Sequence, residues 1–366
     1  MTMTAETVPH TVHIHAPTLW QRIRAKYFAT RVDAVVSLVF AALTLWVLWS
    51  LLGWALFDAT FGANRGDVCR ENLHGGACWS VVSTRWRIVL FGLYPFEEQW
   101  RSGLACLVML VVAVLSCVPW FWSTRRLPIL WLTGFGIFYV LMRGGWFGLA
   151  EVTEQNWGGL SLTVFIFAAV SILGMPLAIV FALLRQSDLP WIAKTMALII
   201  DTIRSLPLLS IMFTFAIVMP FVLPDWAIGD KLYRVIVGYA LFFACYQAEI
   251  IRGGMQALPA GQDEAAKALG LTYWHRIGHV ILPQAFRNAL PPTINQFVIT
   301  FKETSLVTII GFFDVMASGR AASGTAEWNF AVIEMYVFVG LIFFVFVFSL
   351  SRYGAYLERR LDTGRR

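Results

Sequence analysis

Apolar runs of about twenty residues recur along this chain, each the length that a helix needs to cross a bilayer. They fall at residues 33–57, 103–122, 127–149, 160–184, 205–223, 232–251, 291–311 and 330–350. Hydrocarbon offers backbone N–H and C=O groups no partner, so each run must satisfy its own hydrogen bonds as a helix. The expected fold is therefore an all-α polytopic membrane protein with about eight transmembrane helices. Period-two alternation, which would signal a β-barrel, is absent. Charged residues make up only 14% of the chain, against roughly 25% in soluble proteins. The net charge of +6 reads as a topology signal and not as the footprint of nucleic acid, because Lys and Arg collect on the cytoplasmic side of membrane proteins.

Placing the N-terminus in the cytoplasm puts 18 of the 28 Lys and Arg residues inside. Both termini are then cytoplasmic. Residues 1–32 contain no signal-peptide apolar core and read as a polar tail. Its His10, His13 and His15 have no Cys or acidic neighbour to complete a metal site, so they read as solvated. Residues 33–158 hold three helices and a long outside loop at 58–102, residues 159–350 hold the other five, and 351–366 form a basic tail.

The outside loop contains Cys69 and Cys78. They stand apart from Cys106, Cys117 and Cys245, which fall in spans. An oxidising periplasm would join the pair as a disulfide; the alternative is two free thiols. The rest of that loop mixes aromatic and charged residues, as a segment lying in the membrane interface would. Further on, Pro176 is expected to kink the fourth span, residues 191–203 form an amphipathic helix along the cytoplasmic surface, and Pro207 starts or kinks the next span. Asp201 and Arg204, three apart, suit a structural ion pair, as do Glu249 and Arg252.

Between the sixth and seventh spans the pattern breaks. Leu258-Pro259-Ala260-Gly261 is a turn signal. It is followed by QDEAAKALG, which has Asp263 and Glu264 in its first turn and Gly270 as a stop. LTYWHRIGHVILP then predicts a second short helix closed by Pro283. A polar helix–turn–helix of this size cannot cover Ala265, Ala266, Leu269, Trp274 and Ile277 by itself. They need either the membrane domain or a cytoplasmic partner. His275 and His279, four apart, lack a third metal ligand and read as surface residues.

Glu264-Ala265-Ala266, then Gly270, then Val280-Ile281-Leu282-Pro283 resembles the EAA loop of bacterial ABC-importer permeases, with Val280 where Ile is usual. The flanking AEIIRGGMQALPAGQDEAAKALG and PQAFRNALPPTINQFVITFKETSLVTIIG resemble the polar amino-acid (histidine/glutamine) permeases. DTIRSLPLL does too, although Ser205 stands where that family more often has Gly. The likeness covers roughly residues 159–361. The extra N-terminal helices resemble the longer permease of general L-amino-acid transport systems.

The resemblance implies a type I importer core of five helices at 159–350, with a cytoplasmic coupling loop at 252–290. Glu264, Ala265, Ala266, Gly270, Leu282 and Pro283 would couple it to the ATPase. It implies three protein partners: a dimer of cytoplasmic ATP-binding subunits, a second related permease in a heterodimer, and a periplasmic amino-acid-binding protein. L-Amino acids would pass by alternating access across the bacterial inner membrane. No GxxxxGK[ST] loop is present in this chain, so ATP and Mg would be used by the partner ATPase. The chain itself would bind no cofactor and act as a transport subunit, not an enzyme.

Ionisable groups inside a span are costly and usually functional. In the seventh span Asn295, Lys302 and Ser305 share one helical face, and Gln296, Thr300 and Glu303 the neighbouring one. Counted from Pro291, Lys302 lies roughly 17 Å in, near the middle of the bilayer. With Tyr246 these residues form a candidate substrate path, where Lys302 suits a carboxylate and Glu303 an ammonium; the competing role is helix packing. Ser161 and Thr163 suit hydroxyl bonds to their own backbone. An ion-coupled secondary amino-acid transporter is the alternative function. It would share the buried charges but not need the cytoplasmic loop. A membrane enzyme has no supporting histidine–carboxylate motif.

Overall fold

The structure, a computed structural model, describes residues 18–71 and 75–362. His10, His13 and His15, like the last four residues of the basic tail, lie outside the described residues. Among the described residues there are helices and two isolated bridges, and no strand. Among the described residues, six helical segments are long and apolar enough to cross a membrane, or seven if a bent pair counts as one span.

In chain order, the N-terminal block opens with α1 (Leu19–Tyr27) and α2 (Arg31–Leu52), which a π-turn extends to Phe57. Both helices start with capping boxes, Thr18 with Gln21 and Thr30 with Asp33. α2 is apolar on all sides and buries none of its residues, as a lipid-facing helix can. The outside loop folds as α3 (Gly66–Glu71) and α4 (Ser80–Phe91). α5 (Gln99–Ser116) and α6 (Arg126–Arg143) form an antiparallel pair.

The core follows with α7 (Gly159–Arg185), which runs through Pro176 without a break. α8 (Pro190–Ser205) then bends by 102° into the next span, made of α9 (Leu208–Phe213), a π-turn and α10 (Met219–Val222). The break is at Leu206-Pro207, where an extended backbone leads into Pro207, the cap of α9. After α11 (Asp225–Ile228) comes α12 (Lys231–Gln256). The coupling segment holds α13 (Gly261–Ala268) and α14 (Tyr273–Arg276), and α15 spans Leu282–Glu303. α16 (Val315–Ser323) and α17 (Val332–Asp362) close the chain.

Three expectations change. First, the seventh span does not run from 291 to 311. α14 passes through a π-turn, Ile277–Ile281, straight into α15, and Pro283 sits in the first turn of α15, just after that π-turn. Pro283 therefore opens a helix and does not close one, and Pro291 and Pro292 lie inside it. α15 ends at Glu303, followed by the 3₁₀ segment Thr304–Ile310 and left-handed Gly311. Its 22 residues extend about 33 Å, enough to span, although its polar side chains keep it out of the purely apolar set. Second, α12 reaches Gln256, so the excursion between spanning helices is shorter than 252–290. Third, residues of the outside loop do not simply lie in the interface. α4 packs on α7, α16 and α17, with Val81 and Val89 fully buried beside Val315, Ala322 and Met335.

Cys69 and Cys78 are joined as a disulfide with Cα atoms 5.7 Å apart, and both are buried in that outer cluster. The buried carboxylate of Glu334 at the start of α17 accepts the Cys78 N–H at 2.8 Å. Arg70 donates to the Ala326 carbonyl and Arg85 pairs with Glu327. On the other side of the cap, the fully buried Arg101 bonds the Ala150 carbonyl at 2.9 Å and pairs with Glu98. Tyr94 donates to the Met142 carbonyl at 2.8 Å. Burial pushes its phenol up to about 12, so it remains a donor at neutral pH.

Membrane helices gain little from hydrophobicity and rely on close approach. Gly174 of α7 lets Phe243 of α12 pack against its backbone; a Cβ there would stand 2.4 Å from the Phe243 ring. A Gly174→Leu variant is expected to lose one to a few kcal/mol by overpacking. It should melt at lower temperature in detergent than the parent. The Cys69→Ser/Cys78→Ser variant should also melt lower, since closing a ring of about ten residues is worth roughly 2–3 kcal/mol. Peptide mapping without reductant should recover the parent pair as one linked peptide.

Candidate functional site: the coupling loop and the polar face of α15

The polar loop is held at both ends. On α12, Gly254 lies against the backbone of α15, where an added Cβ would come within 2.4 Å of the Ala285 carbonyl oxygen. Asn288 donates back to the Gly254 carbonyl at 3.3 Å. Between these ends, Asp263 of α13 pairs with Lys267 at 2.7 Å and with Arg276 of α14 at 3.0 Å, which fixes the two short helices together. Gly270 has φ +73° with open space around it. The turn out of α13 therefore demands a residue that tolerates left-handed backbone, and glycine does so without strain.

This arrangement divides the apolar residues of the loop. Ala266 is 3% exposed, and Ile277, Ile281, Leu282 and Ala285 pack into the cluster formed by the inner ends of α7, α8 and α12. Leu269 and Trp274 remain 79% and 73% exposed. Glu264, Ala265 and Gly270 are exposed beside them, as is Pro283. A pair of short helices presenting Leu, Trp and small residues to water is suited to a protein partner. His275 and His279 stack with ring centroids 5.5 Å apart, and no group of three metal-binding side chains occurs among the described residues.

The proposed path residues separate into two sets. Gln296 is buried with Thr293 and Thr300 in the seam against α12, where Gln247 donates to the Thr293 hydroxyl at 2.7 Å and Tyr239 to the Thr300 carbonyl at 2.6 Å. Asn295 and Lys302 are exposed on the other face. Asn295 borders a cavity of about 210 Å³ that also includes Ser351 and Glu358 of α17. Ser305 turns back to the Lys302 carbonyl at 2.9 Å. Glu303 is half-buried, with one carboxylate oxygen unpartnered. Tyr246 is not beside these residues; its hydroxyl bonds the Arg204 carbonyl at 3.0 Å.

The depth of Lys302 also changes. It lies in the last turn of α15, close to Thr300, which meets Tyr239 in the outer third of α12. It is therefore nearer the end of α15 away from the polar loop than its middle, because α15 begins nine residues earlier than Pro291. Gln247 and Thr293 were absent from the expected set. Their polarity within apolar runs was the available signal, but which faces meet is decided by packing.

These features define a polytopic membrane protein that exposes two short polar helices between spanning helices and carries polar side chains along the spanning helix that follows. The family model described as "Binding-protein-dependent transport system inner membrane component" matches residues 174–363. The chain is 40% identical over 332 residues to the inner membrane amino-acid ABC transporter permease protein YhdY of Escherichia coli K12, covering 88% of each chain. It is 31% identical over 410 residues to the glutamate/glutamine/aspartate/asparagine transport system permease protein BztC of Rhodobacter capsulatus, covering 94% of each. The glutamate/aspartate import permease protein GltK of Escherichia coli O157:H7 is 33% identical over 55% of this chain but 91% of its own length. The chain belongs to the family of binding-protein-dependent transport system inner membrane components.

Gly254→Val should drive α12 and α15 apart at their inner ends and lower thermal stability by one to a few kcal/mol. A thermal melt of the purified subunit checks it, with an unchanged midpoint counting against the close approach.

Proposed function

We propose that this chain is the permease subunit through which an ATP-driven importer moves L-amino acids from periplasm to cytoplasm by alternating access. One observation carries the reading: Leu269, which caps α13, and Trp274 of α14 are both exposed on a polar excursion whose Ile277 and Ile281 pack among the spanning helices. The amino-acid assignment draws on the two long relatives, each described as an amino-acid permease. The protein resides in the bacterial inner membrane with both termini in the cytoplasm, as its Lys and Arg distribution favours.

In this reading Glu264, Ala265, Ala266 and Gly270 form the contact with a cytoplasmic ATP-binding dimer, and Leu282 and Pro283 begin the helix that carries its movement. ATP and Mg are used by that partner; this chain binds neither and is not itself an enzyme. A periplasmic amino-acid-binding protein delivers substrate. A second, related permease completes the membrane unit. Asn295 and Lys302, exposed on α15, and Ser305, in the 3₁₀ segment after it, line the passage in this reading, with Glu303 beside them. Lys302 suits the substrate carboxylate because a charged donor inside a span is retained where it has an anionic ligand to meet. Gln296 and Tyr246 act in packing.

The decisive experiment is co-purification with the ATP-binding subunit, followed by uptake in proteoliposomes. Gly270→Val should reduce recovery of the ATPase with the permease at least tenfold, while membrane insertion persists. Lys302→Ala should leave the complex intact and lower uptake kcat/KM at least tenfold. Uptake by the parent that proceeds without ATP hydrolysis would overturn the reading.

A further inference from the structure

Where the inner ends of α7, α8 and α12 meet, five charged side chains converge. Glu249 of α12 has a side chain only 12% exposed. Its two oxygens meet Arg252 at 2.8 Å, Arg185 at 3.2 Å and Arg204 at 3.6 Å. Those three arginines come from three elements: Arg185 is the last residue of α7, Arg204 ends α8 just before the bend, and Arg252 lies one turn further along α12. Asp201 of α8 completes the cluster through Arg185, at 2.9 and 3.1 Å. One turn before Glu249, Tyr246 bonds the Arg204 carbonyl, and the Arg204 guanidinium lies over its ring at 5.1 Å.

Three cations against two anions make Glu249 the hub. Asp201 reaches only Arg185 closely and is largely exposed, whereas Glu249 touches all three. Removing an anion shared by partly buried cations leaves those cations uncompensated. The same residue sits on the element that receives the loop's motion. Five residues beyond it, Gly254 is locked to Ala285 and Ala289, so the end of α12, the loop and the start of α15 form one packed unit. The elbow at Leu206-Pro207, by contrast, joins the inner surface to the next span through extended backbone.

We infer that Glu249 is the positioning residue through which the coupling loop moves the α7–α9 elbow. It holds the C-terminal end of α7 and the end of α8 in step with α12, so that displacement of α13 reaches the bent span as well as α12 and α15. The inference rests on the importer reading above and assigns a role to a residue outside the ATPase contact and the substrate path.

The test uses the complete transporter in proteoliposomes, with spin labels at Gln186, just beyond α7, and Gln256, the last residue of α12. In the parent the label separation is expected to stay constant between nucleotide-free and ATP-bound states. In Glu249→Gln it should change on ATP binding, and substrate transported per ATP should fall at least tenfold while the ATP-binding subunit still co-purifies. Glu249→Asp, which keeps the charge, should recover a substantial part of both. Separation and transport per ATP in Glu249→Gln within twofold of the parent would overturn the inference, as would equal loss in Glu249→Asp and Glu249→Gln. If Glu249→Gln does not assemble, the Glu249→Asp comparison with the parent decides it alone: constant separation and retained coupling support the role, and lost coupling with constant separation sinks it. Absence of ATP-dependent uptake in the parent would instead be a failure of the importer reading.

Discussion

Lipid gives α12 and α15 no hydrophobic reason to associate, since hydrocarbon solvates their apolar faces as well as each other would. The seam between them therefore relies on close approach and hydrogen bonds. Gly254 against Ala285 draws the inner ends together, Gln247 reaches Thr293 in the middle, and Tyr239 bonds the Thr300 carbonyl further out. Each polar partner left alone in that environment would carry a desolvation cost. The seam sets the angle at which the coupling loop leaves the membrane and the face of α15 that remains open. It joins the polar loop to a candidate passage.

The N-terminal block adds a second layer of restraint on the opposite side of the molecule. Its contacts with the core combine the apolar cluster around Val81 and Val89 with directional polar ones: Glu334 with the Cys78 N–H, Arg85 with Glu327, and Tyr139 with Tyr233. Within the membrane, Phe135 and Phe138 of α6 stack with Phe165 of α7. The block thus grips the outer halves of α7, α16 and α17, while the inner ends of α7, α8 and α12 are tied separately by the Glu249 cluster. A shorter permease such as GltK aligns with little more than half of this chain, so the outer grip is an addition to a core of smaller size.

Much of the architecture was legible in the linear pattern. Apolar length gave the spans because hydrocarbon enforces helices, and Pro207 announced the break before α9 because proline removes a donor and biases its predecessor to extended backbone. The start of α15 was misread for the same residue type. Pro283 reads as a stop, yet it sits in the first turn of α15 just after the π-turn, and Pro291 and Pro292 lie inside that helix. That error shifted the assumed depth of Lys302. In the candidate site, the exposure of Ala265, Leu269 and Trp274 was legible because short polar helices cannot bury all of their apolar residues. Gln296 and Tyr246 were not separable from path residues, since polarity alone does not say which neighbour satisfies it.

The sequence by itself determined the membrane class, the polar loop between spans and the glycine that turns it. These follow from local rules: hydrocarbon length and backbone sterics act on residues close together in the chain. Only the tertiary structure decided that α15 begins at Leu282, that Gln296 faces α12 while Lys302 does not, and that Glu249 gathers arginines from two other helices besides its own neighbour. Helical periodicity assigns a residue to a face. It leaves open which helix that face will meet, and packing between distant segments settles that choice.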